Sequence, residues 1–143
     1  MNNFIKLFTH FINIDKMKVV IKMDCIFCKI INDEIPSYTL YEDEIVKVFL
    51  DVNPDSNGHT LIIPKKHYKD LYEIDDDTLI HIMKVARKID KTLHEKLNTS
   101  GLTLIQNNGD VQEVKHFHLH LKPYYKDKKE ILPVEEIFKK LEN

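Results

Sequence analysis

A chain of 143 residues with 21 basic and 23 acidic side chains, a formal net charge of −2 and 43% hydrophobic residues is the size of one domain and can bury a core. That balance excludes the broad basic field of a nonspecific nucleic-acid binder, and no apolar run approaches the ~20 residues a membrane-spanning helix requires. With three glycines and no low-complexity tract or internal repeat, the composition does not ask for disorder or a solenoid.

Residues 1–22 differ from the remainder of the chain. They mix apolar residues with Lys, carry one acid, Asp15, and contain neither an unbroken apolar stretch for secretion nor the Arg and Ser of a transit peptide. Two readings stay open: an over-extended start, with the functional chain beginning near Met23, or a weak amphipathic anchor. The domain proper is therefore expected over residues 23–143. Its cysteines, Cys25 and Cys28, stand two residues apart in Cys-Ile-Phe-Cys. This is no disulfide framework of a secreted domain, and suits a redox pair or half of a metal site.

From there the elements come in order. Ile26 to Ile31 is a short helical turn or loop. Thr39-Leu40-Tyr41 and Ile45 to Leu50 are apolar, β-branched and bounded by turn residues, which predicts a hairpin. Residues 53–58 form a loop by composition, and Thr60 to Ile63 is a strand stopped by Pro64. Asp75-Asp76-Asp77 opens a long helix whose apolar stripe is Leu79, Ile82, Met83, Ala86, Ile89, Leu93 and Leu97. Asn98 to Gly101 ends it. Leu102 to Gln106 is a strand, residues 107–110 a turn, Val114 to Leu121 the last strand, and Val134 to Leu141 a short exposed helix. Strands, one long helix, then strands predict an α+β domain with a largely antiparallel sheet.

The strongest chemical signal is His116-Phe117-His118-Leu119-His120-Leu121. On a strand, alternate side chains share a face, so the three imidazoles form a row about 7 Å apart and the apolar residues pack inward. Neutral imidazole is a nucleophile near pH 7, its conjugate acid is a proton donor, and a covalent phosphorus–nitrogen intermediate splits one hard displacement into two easier ones. A metal ion bound by all three histidines is the rival reading.

At these residues the chain resembles the histidine triad (HIT) superfamily. The resemblance runs from Cys25 to about Tyr124 and includes Cys-Ile-Phe-Cys-Lys-Ile-Ile, Glu34-Ile35-Pro36, Tyr41-Glu42-Asp43, Phe49-Leu50-Asp51, the stretch from Gly58 to His67, and Asn107-Asn108-Gly109. The nearest branch looks like the Hint-type nucleoside phosphoramidases, particularly their zinc-containing bacterial members. The resemblance implies that His118 attacks the α-phosphorus of an AMP derivative and that the carbonyl of His116 orients its other ring nitrogen. It gives His120 and His59 contacts to the phosphate or leaving group, and Asp51 the ribose hydroxyls. Phe27, Ile30, Ile35, Phe49 and Val52 would line the base pocket. Asn107, Gln112 and the backbone around Val114 would contact the phosphate and leaving group.

It also implies one structural zinc ion per chain on Cys25, Cys28, His67 and His116, a ligand set suited to a closed tetrahedral site. A cytoplasmic homodimer acting on purine nucleotides, with no nucleic-acid or membrane partner, is the expected setting. The alternatives are a dinucleoside polyphosphate hydrolase and a non-catalytic nucleotide-binding scaffold. Two positions depart from the family pattern: Val111 stands where glycine is common, and Lys115 where an aromatic is usual. The first is expected to narrow the phosphate loop or divert its backbone. His81 and His94 are expected on the helix surface.

Overall fold

The computed structural model describes residues 24–142; the expectations for residues 1–22 lie outside them. The elements are α1 (Ile26–Ile31), β1 (Thr39–Glu42), β2 (Val46–Leu50), β3 (Thr60–Pro64), α2 (Asp76–Leu97), β4 (Gly101–Ile105), a 3-10 turn (Gly109–Val111), β5 (Leu119–Tyr124) and α3 (Val134–Glu142). The strands form one five-stranded sheet in the order β1-β2-β3-β5-β4. Every pairing is antiparallel.

Alternation along the central strands divides the apolar residues between two faces. Val46, Val48, Leu50, Ile62, Leu119 and Leu121 join the main core beneath α2 and α3, with Ile82, Ala86, Ile89 and Leu93 supplied by α2. Phe49, Leu61 and Ile63 form a smaller cluster with Phe27 and Ile30 of α1. The sheet thus carries two helices on one side and the short α1 on the other, and the functional residues gather on the α1 side.

Helix α2 starts and stops as its sequence predicts. The Asp75 carboxylate accepts from the Thr78 N–H at 2.7 Å, and two more acids follow in the first turn. Asn98 closes the helix in the left-handed conformation, φ 55°. The inward stripe needs one correction: Val85 is buried, and Met83 is exposed. Gly58 is favoured by its conformation, and any larger residue would also displace the Leu97 side chain. Its φ is +89°, and a Cβ there would stand 2.7 Å from Leu97 Cδ1.

The last strand and the last helix also differ from expectation. Residues 114–118 lie outside the ladder, because the Phe117 N–H bonds to the Tyr68 carbonyl (2.7 Å) and β3 meets β5 only from Leu119 to Leu121. Strand β5 instead continues through Pro123 to Tyr124 against β4. Proline is tolerated there because pairing with β3 has already ended at Leu121, so only one neighbouring strand remains. Helix α3 is docked rather than exposed: Ile137 and Leu141 join the main core, and Phe138 packs on Tyr38 with ring centroids 5.3 Å apart. Asn57 ties down the segment before it, donating to the Glu130 carbonyl (2.9 Å) and accepting from the Leu132 N–H (2.8 Å).

Lys47 is an unexpected feature of β2. It is only 2% exposed, on the same face as Phe49. Its ammonium donates to the Ile30 carbonyl and to Asp33, each at 2.9 Å. A buried cation thereby satisfies the carbonyl end of α1.

Candidate active site and metal centre

A cleft of about 540 Å³ opens between α1, the end of β2 and the loop leading to β5. Phe27, Ile30, Ile35, Phe49 and Val114 give it an apolar surface, and Asn107, Val111 and Glu113 also line it. Asp51, Val52, His59, His118 and His120, all expected at the site, line it too. Gln112 is not in the wall. Its side chain is buried, and its amide donates to the Lys69 carbonyl at 2.6 Å, leaving Oε1 without a partner. Val111 is exposed on the 3-10 turn and is not among the residues with positive φ, so its backbone needs no glycine.

The hydrogen bonds of the imidazoles fix their protons. The His118 Nδ1 lies 2.8 Å from the His116 carbonyl, an acceptor, so Nδ1 carries the proton and Nε2 presents a lone pair. The Asp55 backbone N–H can only donate, and it reaches the His59 Nδ1 at 3.0 Å. The His59 Nε2 therefore bears the proton and donates to the His120 Nδ1 at 2.9 Å. This leaves His120 protonated at Nε2. One imidazole is set as a nucleophile and its neighbour as a proton donor, with ring centroids 4.9 Å apart.

The same assignment decides between two groups of metal-ligating residues. Asp51, His59 and His120 lie close enough together to be considered. The nitrogen that His59 turns toward that group is protonated, which leaves it no lone pair for a metal.

Burial makes these rings neutral at physiological pH. It lowers His118, with partial opposition from the His116 carbonyl, Asp51 and Glu113. It lowers His59, with Asp51 opposing, and brings His120 to about 4, helped by His118, His59 and Lys122. Asp51 is held at the cleft edge by the Asn53 N–H, which donates to its Oδ1 at 2.9 Å; its Oδ2 lies 3.6 Å from the His59 Nε2.

His116 departs from the expected row of three. Its ring turns out of the cleft and joins Cys25, Cys28 and His67, whose ligand atoms all lie within 4.8 Å of one another. Burial brings this ring to about 4. The His116 Nε2 donates to the Pro64 carbonyl at 2.8 Å, so its Nδ1 lone pair faces the cysteines. The separations are 3.4 Å (Cys25 Sγ to His116 Nδ1), 3.3 Å (Cys28 Sγ to His67 Nδ1), 3.6 Å (Cys28 Sγ to His116 Nδ1) and 3.1 Å between the two Nδ1 atoms. A tetrahedron built on zinc bonds of about 2.0–2.3 Å has edges of about 3.3–3.8 Å, so the four residues fit a closed zinc site.

Sequence reasoning misses several cleft residues, among them the charged Asp55, Glu113 and Lys122. Glu113 sits between Gln112 and Val114, and its carboxylate beside two expected contact positions is the signal that could have found it. Lys122 falls two residues beyond His120 on β5, hence on the same strand face. His81, expected on the surface, is half-buried and bonds to Asp43 at 2.7 Å. His94 is exposed and bonds to the Thr99 carbonyl at 2.8 Å.

Comparison with known proteins bears on this arrangement. The HIT domain family matches residues 32–127. An uncharacterized HIT-like protein of Methanocaldococcus jannaschii is 47% identical over 115 residues, covering 79% of this chain and 88% of that protein. A Saccharomyces cerevisiae protein named adenosine 5'-monophosphoramidase is 46% identical over 101 residues, covering 69% and 61%. The crystal structure of a zinc-bound histidine triad family protein from Mycobacterium smegmatis superposes with a TM-score of 0.78 at 34% identity, covering 84% and 91%.

Proposed function

The chain belongs to the HIT family of histidine triad proteins, and from that premise we propose that it hydrolyses AMP phosphoramidates or related adenylates through a nucleotidyl-histidine intermediate. The observation that carries this reading is the pair of oppositely set imidazoles: a lone pair on the His118 Nε2 beside a proton on the His120 Nε2.

In the first step the His118 Nε2 attacks the α-phosphorus and the bond to the leaving nitrogen breaks. The leaving nitrogen takes up one proton from solvent, guided by the His120 Nε2–H that bonds to it, and departs as a neutral amine. In the second step water attacks the phosphorus, releases one proton to solvent as the His118 Nε2 regains its lone pair, and AMP leaves. The apolar wall of Phe27, Ile30 and Phe49 takes the base, and the Asp51 carboxylate accepts from the ribose hydroxyls. His59 orients His120 and passes the rigidity of the Asp55 amide to it.

Cys25, Cys28, His67 and His116 hold one zinc ion per chain in this reading. With four protein ligands it has no open position, and its contribution is to fix α1 and the chain at His116. The functional unit runs over residues 23–143 and works in the cytoplasm. It pairs with a second copy along the outer edge of β4, where Leu104 is exposed and, among the described residues, no further strand covers the edge.

A dinucleoside polyphosphate hydrolase fits less well. Lys122, the one lysine in the cleft wall among the described residues, is already engaged by Asp55 at 2.5 Å, and a polyphosphate brings several negative charges that need cations.

Incubation with an AMP phosphoramidate of tryptamine, quenched and read by intact mass, should reveal a transient AMP adduct that maps to His118. His118→Ala should lose turnover by well over the ~10²–10⁴-fold typical of one acid–base group, while still binding AMP. Near-normal turnover in the purified variant would overturn the proposal, and AMP binding without turnover by the wild type would favour the scaffold reading.

A further inference from the structure

The charge of the cleft is poorly matched to a phosphate alone. Among the described residues its wall contains Asp51, Asp55 and Glu113 against a single Lys122, and Lys122 is committed to Asp55. Two carboxylates therefore remain uncompensated where an anionic phosphodiester or phosphoramidate must bind. Asp51 is occupied by the Asn53 N–H and stands near His59. Glu113 is different: it is exposed, it has no hydrogen-bond or ion-pair partner among the described residues, and it lines the cleft together with His118, near enough for its charge to act on that ring. The base has its complement in Phe27, Ile30 and Phe49, whereas the Glu113 carboxylate lies within electrostatic reach of His118, beside the reacting phosphorus and the group that leaves it.

We infer that Glu113 is a specificity-determining residue that selects substrates whose leaving amine carries a second, positively charged group. The inference rests on the phosphoramidase reading and narrows it to a substrate class: conjugates of a nucleoside monophosphate with a diamine or a basic side-chain amine. An ammonium on the leaving group meets the one free carboxylate of the wall and offsets the surplus negative charge that the phosphate enlarges. A carboxylate on the leaving group adds a like charge at the same place. Because Glu113 is open to solvent, the discrimination is moderate and sensitive to salt.

The test uses three AMP phosphoramidates of matched chain length, made from cadaverine, pentylamine and δ-aminovalerate: cationic, neutral and anionic. For the wild type, kcat/KM should fall in that order, with about tenfold between the outer two at low ionic strength and a smaller ratio at high salt. Glu113→Gln should collapse the ratio toward unity, and Glu113→Lys should reverse it. An unchanged ratio in Glu113→Gln, or equal rates for the three conjugates with the wild type, would overturn the inference while leaving the phosphoramidase reading intact. Failure to turn over even the pentylamine conjugate would overturn that reading instead. The role of Glu113 would then be decided by calorimetric Kd values for the same conjugates, in which the wild type should prefer the cationic one and Glu113→Gln should not.

Discussion

A neutral imidazole has one proton and one lone pair, so committing one nitrogen decides the other. Around this cleft the commitments are made by the backbone: Pro64 O for His116, His116 O for His118, and the Asp55 N–H for His59 and, through it, His120. The alternation of His with apolar residues is enough to single out the triad. It is silent on these assignments, because Pro64 is 52 positions from His116 and the side-chain direction at a given residue depends on where the ladder begins. Asp51 shows a related limit. The family resemblance points to the ribose hydroxyls, and the structure shows Oδ1 also holding the turn through the Asn53 N–H while the carboxylate lines the cleft. Asp51→Asn separates the two roles, because Asn retains an acceptor for the turn and loses the charge. It should weaken AMP binding by about 1–3 kcal/mol, with a much smaller loss for 2′,3′-dideoxy-AMP. Calorimetry on both nucleotides decides it, equal losses meaning that the carboxylate does not read the sugar.

Between elements, one carboxylate ties the β1–β2 turn to α2. Asp43 accepts from the Ile45 and Val46 N–H groups, each at 2.8 Å, and its other oxygen meets the Tyr41 hydroxyl at 2.8 Å and His81 at 2.7 Å. Burial alone would raise its pKa. The bonds to Val46, His81, Ile45 and Tyr41 outweigh that and hold it at about 2, against 3.8. A folded-state value below the unfolded one gives stability that is whole above pH 3.8 and lost as pH falls toward about 2. Asp43→Asn should therefore cost about 1–2 kcal/mol at neutral pH, less than the full shift because the side chain keeps some solvent. Urea titrations should show the gap narrowing between pH 7 and pH 3, and a gap independent of pH would refute the charge-based account. Periodicity locates α2 and the hairpin well. It exchanges Val85 for Met83 because both lie near the edge of the stripe, and it cannot see that α3 is docked, since Ile137 and Leu141 are covered by residues from distant parts of the chain.

For the molecule as a whole, the order of the elements suffices to predict an antiparallel α+β fold, and the family resemblance supplies the ligand set of the metal centre. What neither conveys is how α1 is held. Its N-terminal end carries Cys25 and Cys28, its C-terminal end is gripped by buried Lys47, and between them Phe27 and Ile30 form the apolar wall of the cleft. His116 adds a second connection, with its ring among the metal ligands and its carbonyl on His118. On the proposed function, ion and nucleotide would act on one arrangement of the same short helix, and thermodynamic reciprocity would apply: whatever factor one adds to the affinity of the other must be returned. Saturating AMP should lower the zinc Kd, read by competition with a chromogenic chelator at equilibrium, by about 5–10-fold, and the zinc-depleted protein should bind AMP more weakly by the same factor. Identical zinc Kd values with and without AMP would mean that α1 keeps its place without the ion, and that the two sites are neighbours with no energetic conversation between them.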